Sequence, residues 1–530
     1  MQRSLSCFIV LSLIAWEGLA RATTDVRFII PKSPRIISPY IYGFGTYMHE
    51  DREAEGVWDM QPTIYRWGGN TSSRFNYKID AWNSAQDWFW HNFGSSRKGM
   101  IDQFMADNNS RGVASMITLP MLGWVAKDRE SYSFPRSLYP KQQQFEGDAG
   151  NGVDLNGKPL KADPKRTSLA IDPAFVAGWV QKLKKQFGKH PHFYIMDNEP
   201  MLWHITHRDV QAEPMRYKTY LERYVAYAKA VREADPEAVI VGPAAWGWME
   251  MQYSGWDIEG PWSNWKKQTD RKANGDRPFL EWFLEQLAQR EKQLKISLLD
   301  VLDVHFYPEK DRWPAGEDDH PGRRRALLAA TRSLWDKAYT DNSWINEKLY
   351  FIPRLQSMAQ KFKPGTKVSI GEYNFRSEWD ISGAIAQAEI LGTFARTGLY
   401  AAQYWDFPRK DGTHRYAFLL YRNYDGKRST FGPEWLDNTV GSRENTSVFS
   451  SQDSKRKTVT IVLLNKSLDK KESFRLDVSP WKNAKSLKLF SFQSPDRKGT
   501  IKKEERSLTL GKPVIIDTQP LSMHLVELRY

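Results

Sequence analysis

His192-Phe193-Tyr194-Ile195-Met196-Asp197-Asn198-Glu199-Pro200 joins a short, mostly apolar run to an acidic turn closed by proline. A run this short, rich in aromatic and branched side chains, reads as a strand buried on both faces, as in a parallel sheet. Comparable runs lie before it at 41–45, 63–67 and 114–119, and after it at 238–242, 299–306, 368–371 and 399–405. Helical patterns lie between most of them. The clearest is the apolar stripe of Tyr217, Leu221, Tyr224, Val225, Ala228 and Val231, which Asp235-Pro236 stops. Strands and helices in this alternation predict an α/β fold, a (β/α)8 TIM barrel. The carboxyl ends of barrel strands are where such folds build their sites, and Asp197 to Glu199 fall there.

The ends of the chain read differently. After about Lys410 the helical patterns stop. Strand-like runs at 458–464, 473–478, 486–491, 507–510 and 523–528 are separated by Lys, Asp, Gly and Pro turns, the pattern of an all-β sandwich. Residues 25–37 are also strand-like and are expected to join that sandwich, bringing the two termini into one domain. The first residues look like a targeting segment. Arg3 is followed by a short apolar run from Cys7 to Ala15 and by Ala20-Arg21-Ala22, the pattern of a secretory signal cleaved after Ala22. The predicted divisions are a signal peptide at 1–22, an N-terminal sandwich strand at 23–38, the barrel at 39–410 and the sandwich at 411–530. The single cysteine, Cys7, lies in the signal, so the secreted protein has no disulfide and depends on its core.

The formal net charge is +13, but Lys and Arg are dispersed among acids. Arg323-Arg324-Arg325 is the nearest approach to a cluster, which argues against nucleic acid as a partner. No later run is long and apolar enough for a membrane span. The 22 Trp residues exceed what packing alone requires, and indoles stack on the apolar faces of sugar rings. Two long loops follow predicted strands three and five. One runs from Lys127 to about Ser168, and the other holds Trp246, Trp248, Trp256, Trp262 and Trp265. The second is expected to wall a cleft.

Glycoside hydrolysis needs one carboxyl group to protonate the leaving oxygen and another to attack or to activate water. Glu199 ends predicted strand four, and Glu372 follows Gly371 at the end of strand seven. His305 and Tyr307 lie two apart at the end of strand six, facing one side, where they can hydrogen-bond the nucleophile or the substrate. Arg66, at the end of strand two, can pair with Glu372 or serve as an ion pair under the floor. Trp405, ending strand eight, is the candidate stacking platform. Tyr373 follows the nucleophile, and strand alternation turns it to the opposite face. His204 and His207 are three apart, but no Cys or third ligand accompanies them, so hydrogen bonding is preferred to metal binding.

Longer blocks sharpen this reading. Arg66-Trp67-Gly68-Gly69-Asn70, Asp197 to His207 (Asp-Asn-Glu-Pro-Met-Leu-Trp-His-Ile-Thr-His), Asp303 to Glu309 (Asp-Val-His-Phe-Tyr-Pro-Glu) and Gly371 to Phe375 (Gly-Glu-Tyr-Asn-Phe) resemble the signature blocks of glycoside hydrolase family 44. The loops after strands three and five do not match the family. The resemblance implies a secreted, retaining endo-acting enzyme on β-1,4-glucan chains or xyloglucan. Glu199 would be the acid/base, Glu372 the nucleophile, and Asn198 the partner of the sugar 2-hydroxyl. It makes Arg66, Trp67, Asn70, Trp203, His305, Tyr307, Tyr373 and Trp405 further substrate-site candidates. No cofactor is required. The family has metal sites, which implies a structural calcium with ligands unassigned. The expected partner is the polysaccharide, bound by a monomer. Mannan or xylan is the alternative substrate under the same mechanism, and a weakly catalytic glucan-binding protein is the alternative of another class.

Overall fold

The computed structural model describes residues 23–47, 52–53, 55–95, 99–188, 192–258, 267–308, 318–492, 500–509 and 511–530. The signal-peptide segment 1–22 and both Trp262 and Trp265 lie outside the described residues.

Eight parallel strands close into a barrel: β1 (Gly43–Thr46), β2 (Ile64–Trp67), β3 (Ala114–Leu119), β4 (Phe193–Met196), β5 (Val239–Ala245), β6 (Val301–Val304), β7 (Lys367–Tyr373) and β8 (Ala401–Tyr404). Each pairs with its sequence neighbour, and β8 closes on β1 through Gln403 against Gly43 and Tyr404 against Phe44. All eight fall within the runs read from the sequence or overlap them. Alternate residues point inward. Ile64, Met116, Phe193, Ile195, Val241 and Val301 plug the lower barrel with apolar packing. Towards the carboxyl ends the inward positions turn polar: Arg66, Asp303, His305, Ser369 and Gln403 are all buried there.

Helices cover the barrel. Tyr217–Ala234 buries Tyr217, Tyr220, Leu221, Tyr224, Tyr227, Ala228 and Val231 on one face, as its stripe requires. A difference from the sequence reading comes after β8. His414–Arg422 is helical and buries His414, Ala417, Phe418, Leu420 and Tyr421, so the helical part of the chain runs past Lys410. Its stripe is only two turns long and ends at Asn423, too brief to stand out by periodicity.

The C-terminal region forms two sheets. In the small one, Thr23–Val26 pairs parallel with Glu472–Leu476, which pairs antiparallel with Val514–Thr518. The larger runs Phe28–Ile29, Glu434–Asn438, Thr446–Asp453, Thr458–Asn465, Ser522–Arg529, Ser486–Phe492, Lys502–Ser507, with Arg35–Ile36 also on Glu434–Asn438. Val26, Phe474, Leu476, Val459, Ile461, Leu463 and Val526 form the layer between the sheets. The N-terminal residues therefore contribute to both sheets, as expected. The strand read at 507–510 lies instead at Lys502–Ser507, and Glu434–Asn438, Thr446–Asp453 and Val514–Thr518 went unread.

The larger sheet buries its other face on the barrel. Helix Ile381–Thr397 is buried from Ile381 through Ala395, apolar nearly all round because it has the barrel on one side and this sheet on the other. Phe449, Val462, Leu464, Phe490 and Leu525 meet the barrel's own core there. Tyr424 donates to Glu527 at 2.6 Å, and Lys466 lies 3.5 Å from the buried carboxylate of Glu389. The sandwich is thus a support for the barrel, away from the strand ends that carry the acids.

Candidate active site

The end of β4 is irregular in a way that decides the site. Asp197 and Glu199 both adopt left-handed backbone, φ 68° and 45°. Such conformations in non-glycine residues persist only where surrounding contacts fix them. Asp197 supplies those contacts. It is fully buried, accepts from Ser73, from the Met121 amide and from the Asn198 amide, and is pushed up to about 6 by burial. Glu199 donates its amide to the Ala244 carbonyl of β5 at 3.0 Å. The kink lets neighbours Asn198 and Glu199 both reach the barrel mouth, which a regular strand would forbid.

Glu372 is held by three groups. Arg66 Nη1 lies 2.5 Å from Oε1 and 3.0 Å from the Gly371 carbonyl, while Tyr307 donates its hydroxyl to Oε2 at 2.7 Å. Burial alone would raise the Glu372 carboxyl. The His305 and Arg66 charges and these hydrogen bonds outweigh it and hold Glu372 below its ordinary value, so it stands ionised. Burial beside Glu372 pushes the Tyr307 hydroxyl far up, so it remains a donor. Arg66 Nη2 reaches Asn198 Oδ1 at 2.7 Å, and Asn198 Nδ2 donates to Asn70 Oδ1 at 3.2 Å. The single guanidinium therefore ties β2 to β4 and β7.

His305 Nδ1 lies 2.8 Å from Glu199 Oε1 and 3.6 Å from Glu372 Oε2. Burial disfavours its charge, but the carboxylates of Glu372 and Glu199 overcome that and raise its pKa. One oxygen each of Glu199 and Glu372, together with a ring nitrogen of His305, lie within 4.8 Å of one another. Glu199 is the more open of the two carboxyls, its side chain 18% exposed against 7% for Glu372.

Both acids open into a cleft of about 730 Å³ lined by Tyr47, Asn70, Trp82, Asp87, Trp88, Phe93, Asn198 and Trp405, among others. The Trp405 indole passes directly over Gly45 of β1, where any Cβ would enter the ring, and sits 5.5 Å above the Arg66 guanidinium. One wall is the hairpin Ala81–Asn83 with Asn92–Gly94 and the turn between, inserted after β2. Asn70 links that wall to the floor by donating to Asp87 at 3.3 Å.

Of the expected site residues, Glu199, Glu372, Arg66, Asn70, Asn198, His305, Tyr307 and Trp405 come together here. Trp67, Trp203 and Tyr373 do not, and their assignment to the substrate site is corrected. Trp67 is 1% exposed, packed edge-on against Phe75 and Trp179 on the outer side of β2. Trp203 is fully buried, its indole N–H on the Asn198 carbonyl at 2.8 Å, so it props the β4 turn from behind. Tyr373 points to the helices and accepts from Gln387 at 2.9 Å. His204 and His207 are also buried, and burial lowers both pKa values; His204 meets the Met201 backbone, while the His207 ring has no hydrogen-bond partner among the described residues, contrary to expectation.

Among the described residues of the Trp-rich loop after β5, the three Trp residues do not form the cleft wall that its composition suggested. Trp246 and Trp248 pack on the core, with Arg354 over Trp248, and Trp256 is covered by Arg216 at 3.5 Å. The wall comes from Trp82, Trp88 and Phe93, which sequence reasoning missed. Their signal was a polar stretch between predicted strands two and three carrying Trp82, Trp88, Phe89, Trp90 and Phe93.

Residues 81–310 match the sequence profile of glycoside hydrolase family 44. Endoglucanase A of Paenibacillus lautus is 30% identical over 522 residues, spanning 92% of this chain and 70% of that protein. The chain belongs to glycoside hydrolase family 44. Two solved structures extend the family likeness across nearly the whole chain. CelM2, a bifunctional glucanase-xylanase from a metagenome library, is 30% identical with a TM-score of 0.87, covering 96% of this chain and 100% of that one. A family 44 xyloglucanase from Paenibacillus polymyxa is 26% identical with a TM-score of 0.77, covering 96% and 99%. The chain is therefore a glycoside hydrolase, a barrel enzyme with a sandwich domain. Two carboxyl groups suffice for its reaction, and no cofactor is called for. Among the described residues, no helix is long and apolar enough to cross a membrane.

Proposed function

We propose that this family 44 enzyme cleaves internal β-1,4-glucosidic bonds of glucan chains or xyloglucan with retention of configuration. Glu372 attacks the anomeric carbon, and Glu199 protonates the departing oxygen. Glu199 then takes the proton from the water that releases the glycosyl ester. The observation that carries the reading is the spacing of the two carboxyls. Oxygens within 4.8 Å fit the separation of about 5 Å in retaining enzymes and leave no room for the water that inverting enzymes place there. The surroundings divide the roles. Glu372 sits between Arg66 and Tyr307, which suits an ionised nucleophile, and the more open Glu199 faces the cleft. Asn198, poised by Arg66 and Asn70, is offered to the sugar 2-hydroxyl. Proton NMR of the first anomer released from a cello-oligosaccharide tests the mechanism. The β-anomer is expected first, and an α-anomer would remove Glu372 as nucleophile.

A second substrate reading, xylan, draws on the glucanase-xylanase description of CelM2. Initial rates of reducing-sugar release from β-glucan, xyloglucan, xylan and mannan rank the candidates. Export follows from the same reading, because a polymer substrate is met outside the cell. N-terminal sequencing of the secreted enzyme should begin at Thr23.

A further inference from the structure

A polar floor lies beneath the two carboxyl groups. Asp303 and His305 are two apart on β6 and both point inward. Each is fully buried. Asp303 Oδ1 accepts from the Ser369 hydroxyl of β7. Its other oxygen, Oδ2, has no hydrogen-bond partner among the described residues and faces His305 Nε2 at 3.9 Å, a nitrogen that likewise has none. The opposite nitrogen, Nδ1, is the one on Glu199. Gly371, directly before Glu372, leaves the space that the Asp303 carboxylate fills, since any Cβ there would collide with Oδ2. The barrel thus contains a row running Asp303, His305, Glu199, with Glu372 beside it.

We propose that Asp303 is a positioning residue that fixes a proton on Nε2 of His305 and so presents Nδ1 to Glu199 for the proton that Glu199 gives and takes. A buried imidazole must choose a tautomer, and a carboxylate facing one nitrogen decides it. With Nε2 protonated, Nδ1 accepts from Glu199 when Glu199 carries its proton. When that same proton passes from Glu199 to Nδ1, His305 is an imidazolium and Nδ1 donates to the Glu199 carboxylate. The charges facing His305 are Arg66 from β2, Glu199 just past β4, Glu372 from β7 and Asp303 from β6, while the neutral Tyr307 hydroxyl is turned to Glu372. Glu250, buried near Glu199, is pushed well up by desolvation and by the Glu199 charge, and its Oε2 accepts from the Trp246 amide. Asp303 is therefore the one anion on the Nε2 side of the ring among these groups. This inference rests on Glu199 as acid/base, but its first test does not.

The first test is ring nitrogen NMR of the full-length enzyme labelled at histidine, with the His305 signals assigned by their loss in His305→Gln. A proton on Nε2 throughout about pH 5–8 is expected. A neutral His305 protonated on Nδ1 alone overturns the proposal, whatever the role of Glu199. The second test is Asp303→Asn, read as a pH profile of kcat/KM on a cello-oligosaccharide. Weaker hold on the shared proton should cost about tenfold on the alkaline side of the optimum, the effect of one unit of displacement, with a smaller change on the acid side. In a His305→Gln background the same substitution should leave the profile shape unchanged. An alkaline limb that does not move in Asp303→Asn, or that moves equally with His305 absent, overturns the proposal. If Asp303→Asn does not fold, the NMR result on the unaltered enzyme decides.

Discussion

Replacing Arg66 with Met removes the charge under the floor while filling much of its volume. Arg66 is fully buried and reaches Glu372 at 2.5 Å, Asn198 at 2.7 Å and the Gly371 carbonyl at 3.0 Å. Two unit charges about 4 Å apart at an effective dielectric of about 20 attract by about 4 kcal/mol, and removing one partner of a buried pair costs about 3–5 kcal/mol. That cost depends on pH in a direction the structure fixes. In the native enzyme Glu372 is held below its ordinary 4.5, so its stabilising contribution is complete above that pH and lost as pH falls through the folded value. Without Arg66, burial acts against the remaining influence of His305, and the folded value rises. Glu372 can then shed the penalty only by taking up a proton. The destabilisation of Arg66→Met should accordingly be about 3–5 kcal/mol at pH 8 and shrink towards pH 4.5, by at most about 1.4 kcal/mol per pH unit for one proton.

Urea melts of both proteins between pH 4.5 and 8, with kcat/KM profiles alongside, read both consequences. The acid limb of kcat/KM should move to higher pH, because the nucleophile we propose, Glu372, must be ionised to attack. Arg66→Lys separates charge from geometry. One ammonium keeps the charge but cannot serve Glu372, Gly371 and Asn198 together, so stability should be largely retained while kcat falls. A pH-independent stability loss in Arg66→Met with an unmoved acid limb would reduce Arg66 to packing under the floor.

Three further outcomes follow from the same geometry. Glu372→Ala should lose nearly all activity and keep the fold; azide should restore part of the turnover with a product of inverted configuration, and more than a few per cent residual activity without azide would move the nucleophile elsewhere. Glu199→Gln should be slow on cello-oligosaccharides yet give a burst of dinitrophenol from an activated aryl cellobioside, since a phenolate leaves without a proton; equal loss on both substrates with no burst would deny Glu199 the proton transfer. Gly45→Ala places a methyl group in the Trp405 ring, so KM should rise several-fold with kcat little changed, at a stability cost of about 1–3 kcal/mol; an unchanged KM would take Trp405 out of sugar stacking.

The barrel was legible because buried parallel strands carry their own signal: short apolar runs at β1 to β8, alternating with helical stretches. The sandwich was less so. Thr458–Asn465 and Ser522–Arg529 were readable, being buried by partners on both faces. Glu434–Asn438 and Thr446–Asp453 were not, because Ser447, Ser450 and Ser451 make a buried strand look like a loop. Ser450 and Ser451 are tolerated inside because they bond within the sheet, Ser450 to the Leu436 carbonyl and Ser451 with Thr460. Pairing partners distant in sequence supply what local composition lacks.

At the site, charge was legible and, Trp405 apart, the indoles were not. A carboxyl or guanidinium at the end of a buried strand has few bland explanations, since an unpaired charge there is costly. Glu199 and Glu372 therefore stood out together, His305 and Tyr307 joined them by their shared face, and Arg66 was left open between a partner of Glu372 and an ion pair under the floor. An indole is equally at home against a helix or a sugar. Trp67, Trp203, Trp246, Trp248 and Trp256 turned inward or under arginines, while Trp82 and Trp88 took the cleft from a hairpin that no periodicity marks. Their difference lies in which surface the neighbouring backbone leaves uncovered, a property of the assembled barrel mouth. The same reasoning explains Asp303. It was quoted within a motif yet given no role, because only closure of β6 against β7 sets its carboxylate over Gly371 and turns its second oxygen towards His305.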